Sequence, residues 1–277
     1  MKSSARMVRG ESKKDIAQIF DRLCNRNSRW SVWADFVALA AIAISNTVDK
    51  SNAEHREQTY MSIIKKYNPS ETELFPQMFA AVVAGMEESQ DQDFLGELYM
   101  SLELGNQHVG QFFTPYCVCA CMAQITSGNL AEEIEAKGWI GVSDPACGAG
   151  ALLVAFVNVC IRQKVNYHDH VLFVAQDIDY TVAMMCYIQL SLLGCAGYVV
   201  VDNTITKPSV SYDRRGLIPK PGENVWYTPF YFKDTWHFRR IWAQMDMMFH
   251  TVEAAEPVKE APTQEFKADK TGQLRLF

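Results

Sequence analysis

Between Trp139 and Ile161 the sequence passes from a short β-rich run, Trp139 to Ser143, through Asp144-Pro145-Ala146-Cys147-Gly148-Ala149-Gly150 into an apolar stretch of helical length. Few folds tolerate a strand that ends in a glycine loop and turns straight into a buried helix. The pattern then repeats without the glycines. Val171-Leu172-Phe173-Val174-Ala175 has the composition of a buried strand and ends at Gln176-Asp177. A second helix is expected from about Tyr180 to Leu193, and Gly197 to Val201 supplies a third strand. Strand, glycine loop, helix, strand, acid, helix, strand is the order of a parallel, doubly wound α/β sheet. Its crossovers are expected to be right-handed.

Upstream the pattern is helical. Ile16, Ile19, Phe20 and Leu23 recur at helical spacing, and Trp33 to Ile44 reads as a more continuously apolar, buried helix. Asn68-Pro69-Ser70 interrupts the pattern, and Ser70-Glu71-Thr72-Glu73 reads as the cap of the next helix. Three parts are therefore expected: an all-helical N-terminal region over 1–105, an α/β domain over 106–250, and a tail over 251–277. Within the second, residues 203–224 are loop-like and Val225 to Phe249 is aromatic-rich, packing back on the domain. The tail mixes Ala, Pro, Glu and Lys, the composition of a disordered tether.

Charge and cysteine usage narrow the class. A formal net charge of -6 is wrong for a protein that grips DNA by bulk electrostatics, so any DNA contact has to be local or assisted. Local basic groups do occur, at Lys207, Arg214, Arg215 and Lys220 and at His237, Arg239 and Arg240. The 8 cysteines include no CxxC pair, and no metal site is expected from them or from His168 and His170. Scattered thiols read as reduced and cytoplasmic. The longest apolar run, Phe36 to Ile44, is well short of the roughly 20 residues a membrane span needs.

The glycine loop and Asp177 together describe a nucleoside site. Glycines let the backbone approach a ligand, the following helix offers unpaired N–H groups, and a carboxylate at the end of the next strand can accept from both ribose hydroxyls. Asp177 lies 33 residues beyond Asp144 and the third glycine of a dinucleotide fingerprint is missing, so NAD is the weaker choice.

These residues carry a resemblance. Asp144 to Gly150 resembles motif I of the DNA adenine-N6 methyltransferases, most closely that of type I restriction modification subunits. Gly110-Gln111-Phe112-Phe113-Thr114-Pro115 is similar to their motif X, Ala175 to Asp179 to motif II, and Asp202-Asn203-Thr204-Ile205 to motif III. The resemblance spans about residues 90–206. It implies a Rossmann-like class I methyltransferase fold and S-adenosylmethionine as cofactor, held by Phe112, Phe113, Thr114, Pro115, Asp144, Ala146, Gly148, Gly150 and Asp177. Asn203 stands where the family usually has an acid, and its amide oxygen would accept from the cofactor's adenine amino group.

The same family performs transfer with an Asn/Asp/Ser-Pro-Pro-aromatic loop whose polar groups accept from the target amine. No such tetrad is present. The nearest segment is Tyr227-Thr228-Pro229-Phe230, taken here as a degenerate catalytic candidate, with an aromatic strand covering the sheet as its structural alternative. The chain ends Gln273-Leu274-Arg275-Leu276-Phe277, which resembles the peptide that binds the bacterial replication sliding clamp. In that resemblance Leu276 and Phe277 fill an apolar pocket, with Gln273 and Leu274 beside it. Readings left open are a DNA adenine methyltransferase recruited by the clamp, a catalytically silent cofactor-binding or restriction-associated subunit, and methylation of protein or RNA. DNA, the clamp and a separate specificity subunit are the expected partners, with no membrane among them.

Overall fold

The computed structural model describes residues 11–88, 91–104, 113–222 and 224–253. Six helices come first: α1 (Glu11–Leu23), α2 (Arg29–Val48), α3 (Ala53–Ile64), α4 (Pro69–Thr72), α5 (Leu74–Glu88) and α6 (Phe94–Ser101). The helical spacing in α1 produces its buried stripe, with Ile16, Phe20 and Leu23 wholly inside. In α2 the buried residues run almost continuously from Val32 to Ile42, matching its apolar centre. Among the described residues, α2 is the one helix long and apolar enough to cross a bilayer by length and composition. Much of its apolar surface is used in packing on α1, α3 and α11 instead.

The cap after Ile64 differs from expectation. Asn68, not Ser70, begins α4: its side-chain oxygen accepts from the Glu71 amide at 2.9 Å, and the Glu71 carboxylate accepts from the Asn68 amide at 2.9 Å. Pro69 explains the shift. A proline suits the first helical position and forces the residue before it into extended backbone, where an N-cap must be.

The α/β part follows: α7 (Tyr116–Ser127), α8 (Leu130–Lys137), β1 (Ile140–Asp144), α9 (Ala151–Arg162), α10 (Tyr167–His170), β2 (Val171–Asp177), α11 (Tyr180–Leu192), β3 (Ala196–Val201), β4 (Val225–Tyr227) and α12 (Asp234–Glu253). The sheet order is β1-β2-β3-β4, the first three strands parallel and β4 antiparallel to β3. Side-chain alternation divides the sheet. Phe173 packs edge-on against Phe156 of α9, and Trp226 against Tyr187 of α11, so both crossover helices share one face. The opposite face, with Leu172, Val174 and Tyr198, receives the 213–217 loop, and the Tyr198 hydroxyl donates to the Gly216 carbonyl at 2.8 Å. Only β1 is thinly covered: Gly141 and Ser143 are exposed, and no strand pairs with its outer edge among the described residues.

Residues 1–240 form one unit and 241–277 a second. The helical region therefore belongs with the α/β domain rather than standing apart at residue 105. Gln189 of α11 shows why: its amide donates to Asp93 at 2.7 Å and to the Ala149 carbonyl at 2.8 Å, and its oxygen accepts from Leu95 at 3.2 Å. One wholly buried side chain thus joins the start of α6 to the glycine loop.

Candidate active site

A cavity of about 420 Å³ opens beyond the carboxyl ends of β1 and β2. Asp144 ends one strand and Asp177 the other, and the loop between β1 and α9 forms the floor. Local chemistry accounts for that loop. Gly148 has φ +51° and Gly150 φ +97°, backbone that side chains beyond glycine rarely adopt. A Cβ on Gly150 would also lie 2.8 Å from the Cys186 sulfur. The turn is tied down by Gly150 donating to the Cys147 carbonyl at 2.8 Å and Cys147 donating to Gln176 at 2.9 Å.

Asp177 joins the two strand ends. One carboxylate oxygen accepts from the Gly148 amide at 2.9 Å and the other from the Asp179 amide at 3.0 Å. Each oxygen keeps a further lone pair for a ligand hydroxyl. Asp144 accepts from the Ala146 amide at 3.1 Å. Burial pushes its carboxyl above the usual range, against that hydrogen bond, and the charge of Asp177 adds to the rise. A third acid completes the lining. Asp93 caps α6, accepts from Gly96 at 3.0 Å and is almost wholly buried. Burial raises its pKa as well, opposed by the bonds from Gln189 and Gly96. No lysine or arginine lines the cavity. Three carboxylates in a low-dielectric recess favour a cationic or hydroxyl-rich guest.

The structure gathers Phe113, Thr114, Asp144, Ala146, Gly148 and Asp177 around one space, and Gly150 sets the turn beneath it. The Phe113 ring would lie 3.4 Å from a Cβ on Gly148 and packs against Tyr99 at 5.4 Å. Pro115 is exposed at the N-cap of α7. Phe112, with the 105–112 segment, lies outside the described residues, as does the 273–277 peptide.

Two expectations are corrected. Asn203 does not line the cavity, and its amide oxygen accepts from Ile205 at 2.9 Å and Thr206 at 3.2 Å, closing its own turn. The catalytic candidate is at the wrong end of the sheet. The Thr228 hydroxyl is buried, donating to the Cys195 carbonyl at 2.6 Å and accepting from Gly197 at 3.0 Å, beside the start of β3. Tyr227 stacks on Tyr231 at 4.9 Å, Pro229 opens a 3-10 turn, and Phe230 packs on His168 at 5.0 Å. From there to the carboxyl end of β3 is about 16 Å at ~3.3 Å per residue. The cause is β4, which runs antiparallel and carries the chain away from the cavity.

The basic groups divide similarly. The Arg239 guanidinium donates to the carbonyls of Asp169 and Gly138, and that of Arg240 to the Tyr231 carbonyl, so both hold the fold together. Lys207 pairs with Asp202 at 3.1 Å, while Lys220 is exposed. Sequence reasoning missed Asp93, Cys119, Met122, Leu152 and Val182 in the lining. For Asp93 a signal existed, an acid three residues before Gly96 at a helix start, but it indicates a cap and not a pocket.

None of the curated proteins is a significant match to this chain. A solved structure from Listeria monocytogenes, assigned as a class I S-adenosylmethionine-dependent methyltransferase, is 16% identical with a TM-score of 0.36, over 68% of this chain and 52% of that one. The chain thus spans about half the length of that structure. The family model described as N-6 DNA Methylase matches residues 90–264, from the cap of α6 past the end of α12. That match takes in most of the chain and every described residue of the cavity, and the chain belongs to the N-6 DNA methylase family of S-adenosylmethionine-dependent methyltransferases.

Proposed function

We propose that the chain binds S-adenosylmethionine in the cavity between β1, β2 and Phe113 and serves methylation of adenine N6 in DNA. The carrying observation is the acid-lined recess bridged by Asp177. S-adenosylmethionine presents a sulfonium, an ammonium and two ribose hydroxyls, and Asp93, Asp144 and Asp177 offer charge and acceptors for all of them. Gly148 and Ala149 bring backbone close, and Phe113 supplies an apolar wall. When bound, the cofactor supplies an electrophilic methyl group. This chain's residues hold it, exclude water and orient it.

The remoteness of Tyr227–Phe230 favours a second reading for the transfer step. In it this chain is a cofactor-binding subunit, and the group that accepts from the target amine comes from elsewhere. The open edge of β1, next to the cavity, leaves access for DNA or another subunit. Recruitment by the sliding clamp through Gln273, Leu274, Leu276 and Phe277 belongs to the same proposal, and tethering would offset the weak DNA affinity of an acidic chain. Incubation with methyl-labelled cofactor and mixed-sequence DNA, with and without clamp, tests both. Label recovered as N6-methyladenine supports the enzyme. Bound cofactor with unlabelled DNA supports the subunit, and absence of cofactor binding defeats both.

Acidity should matter. Because the carboxyl pKa of Asp144 is raised, it takes up a proton at higher pH than an ordinary aspartate, and the pocket loses negative charge. Affinity for the cationic cofactor is expected to fall between pH 7 and pH 5 (roughly the upper edge of carboxyl titration). Calorimetric titration at the two pH values checks this, and the decline should be smaller in Asp144→Asn.

A further inference from the structure

A second cavity, of about 380 Å³, lies between α3 and the carboxyl ends of β3 and β4. Ile42, Tyr180, Val201 and Trp226 make it predominantly apolar, and Asn52, Arg56 and Asn224 supply polar groups. It neighbours the first site, since Val201 is the register partner of Asp177 and Tyr180 follows that aspartate by three residues. None of its residues takes part in the cofactor reading above.

Two groups in it are built for a ligand they do not meet within the protein. Arg56 is 3% exposed, and its Nη atoms bind Asp49, yet its Nε–H has no acceptor. A buried donor without a partner costs about 1–3 kcal/mol and is uncommon in folded proteins. Asn52 occupies the N-cap of α3, where asparagine normally bonds the helix amides, but its side chain makes no capping bond. An amide with both donor and acceptor thus stands at the wall.

The charge on Arg56 is already answered. Asp49 forms a buried ion pair with it, and bonds from Ser51 and Arg56 outweigh burial and hold the Asp49 carboxyl below its usual range. A phosphate or carboxylate guest would add a second anion to a neutral pair. An uncharged acceptor on an apolar frame suits the remaining N–H better. The walls favour a flat one: Trp226 lies under the Arg56 guanidinium at 5.0 Å and meets Tyr180 edge-on at 6.0 Å. A planar heteroaromatic ring whose edge carries a donor beside an acceptor would satisfy the Asn52 amide in the bidentate manner asparagine uses with adenine.

We infer that this cavity is an adenine-binding site, separate from the Asp177 pocket, that takes the base of a nucleoside or of single-stranded DNA.

The inference stands apart from cofactor binding, so its test uses the full chain carrying Asp177→Ala, without S-adenosylmethionine. Adenosine and a short oligodeoxyadenylate are titrated by calorimetry. Saturable binding of either is expected, weakened about tenfold by Tyr180→Leu through lost stacking. A similar loss is expected from Asn52→Ala, whose side chain caps nothing, and inosine should bind about tenfold less well than adenosine. Binding of adenosine alone assigns a free nucleoside; tighter binding of the oligonucleotide assigns single-stranded DNA. Thermal melting of each variant separates a lost site from a lost fold. No binding of either probe, or binding indifferent to both Tyr180→Leu and Asn52→Ala in folded protein, overturns the assignment.

Discussion

Asp177→Ala is expected to reduce the affinity for S-adenosylmethionine by a hundredfold or more (about 3 kcal/mol) while leaving the chain folded. Two effects combine. A carboxylate that accepts from two ribose hydroxyls is lost, and hydrogen bonds to charged groups contribute about 1.5–3 kcal/mol each. The Gly148 amide also loses its acceptor, so the glycine loop is less firmly held for its ligand. Asp177 is only half-buried, and its two amide partners can turn to water, so the stability cost should be about 1 kcal/mol. Calorimetry with the cofactor and a thermal melt read the two quantities separately. An unchanged cofactor affinity would show that the ligand, if bound, does not use this carboxylate.

Gly197→Ala should produce the largest loss of stability among single substitutions in the sheet. Gly197 faces Phe173 across the β2–β3 ladder, and a Cβ there would lie 1.8 Å from the Phe173 carbonyl oxygen. That neighbour is backbone in the middle of the sheet, so no side chain can swing aside. The strands would have to separate, at a cost of at least about 4 kcal/mol, or the chain would not fold. Gly128→Ala is the matching control. Its φ of +55° disfavours alanine, but nothing lies within 4 Å of the added carbon. It should cost only about 1 kcal/mol. Urea denaturation of both variants, with the slope compared to the parent, measures the contrast.

Much of the site was visible before the structure, because its determinants are local. A glycine needed for positive φ announces itself by type, so Gly148 and Gly150 could be placed in a turn between a strand and a helix. A single acid at the end of an apolar run, Asp177, has few roles other than facing out of the carboxyl end of a parallel sheet. The apolar runs of β2, β3 and α11 are near-continuous, as expected of elements buried among others. Each of these inferences needs only the neighbours in sequence.

Asp93 failed that test because its role depends on Gln189, 96 residues away, which draws the α6 cap against the glycine loop. Asn203 failed because an amide in a tight turn has two uses, and only the loop's path shows that it bonds Ile205 and Thr206. Arg56 gave no hint at all. Its burial arises from α3 crossing the end of the sheet, a contact without local pattern.

Tyr227–Phe230 marks the boundary most clearly. Its aromatic, β-prone residues specify an extended segment packed on a sheet, and so it is. They do not specify direction, since a strand's alternation reads the same paired parallel or antiparallel. Sequence alone thus determined the glycine turns, the strand-ending acid and the alternation of helix and strand, all governed by dihedral and burial preferences over a few residues. Tertiary structure decided which end of β3 each later segment reaches and which distant acids share a cavity, because strand pairing and helix crossing join residues whose separation along the chain carries no local signal.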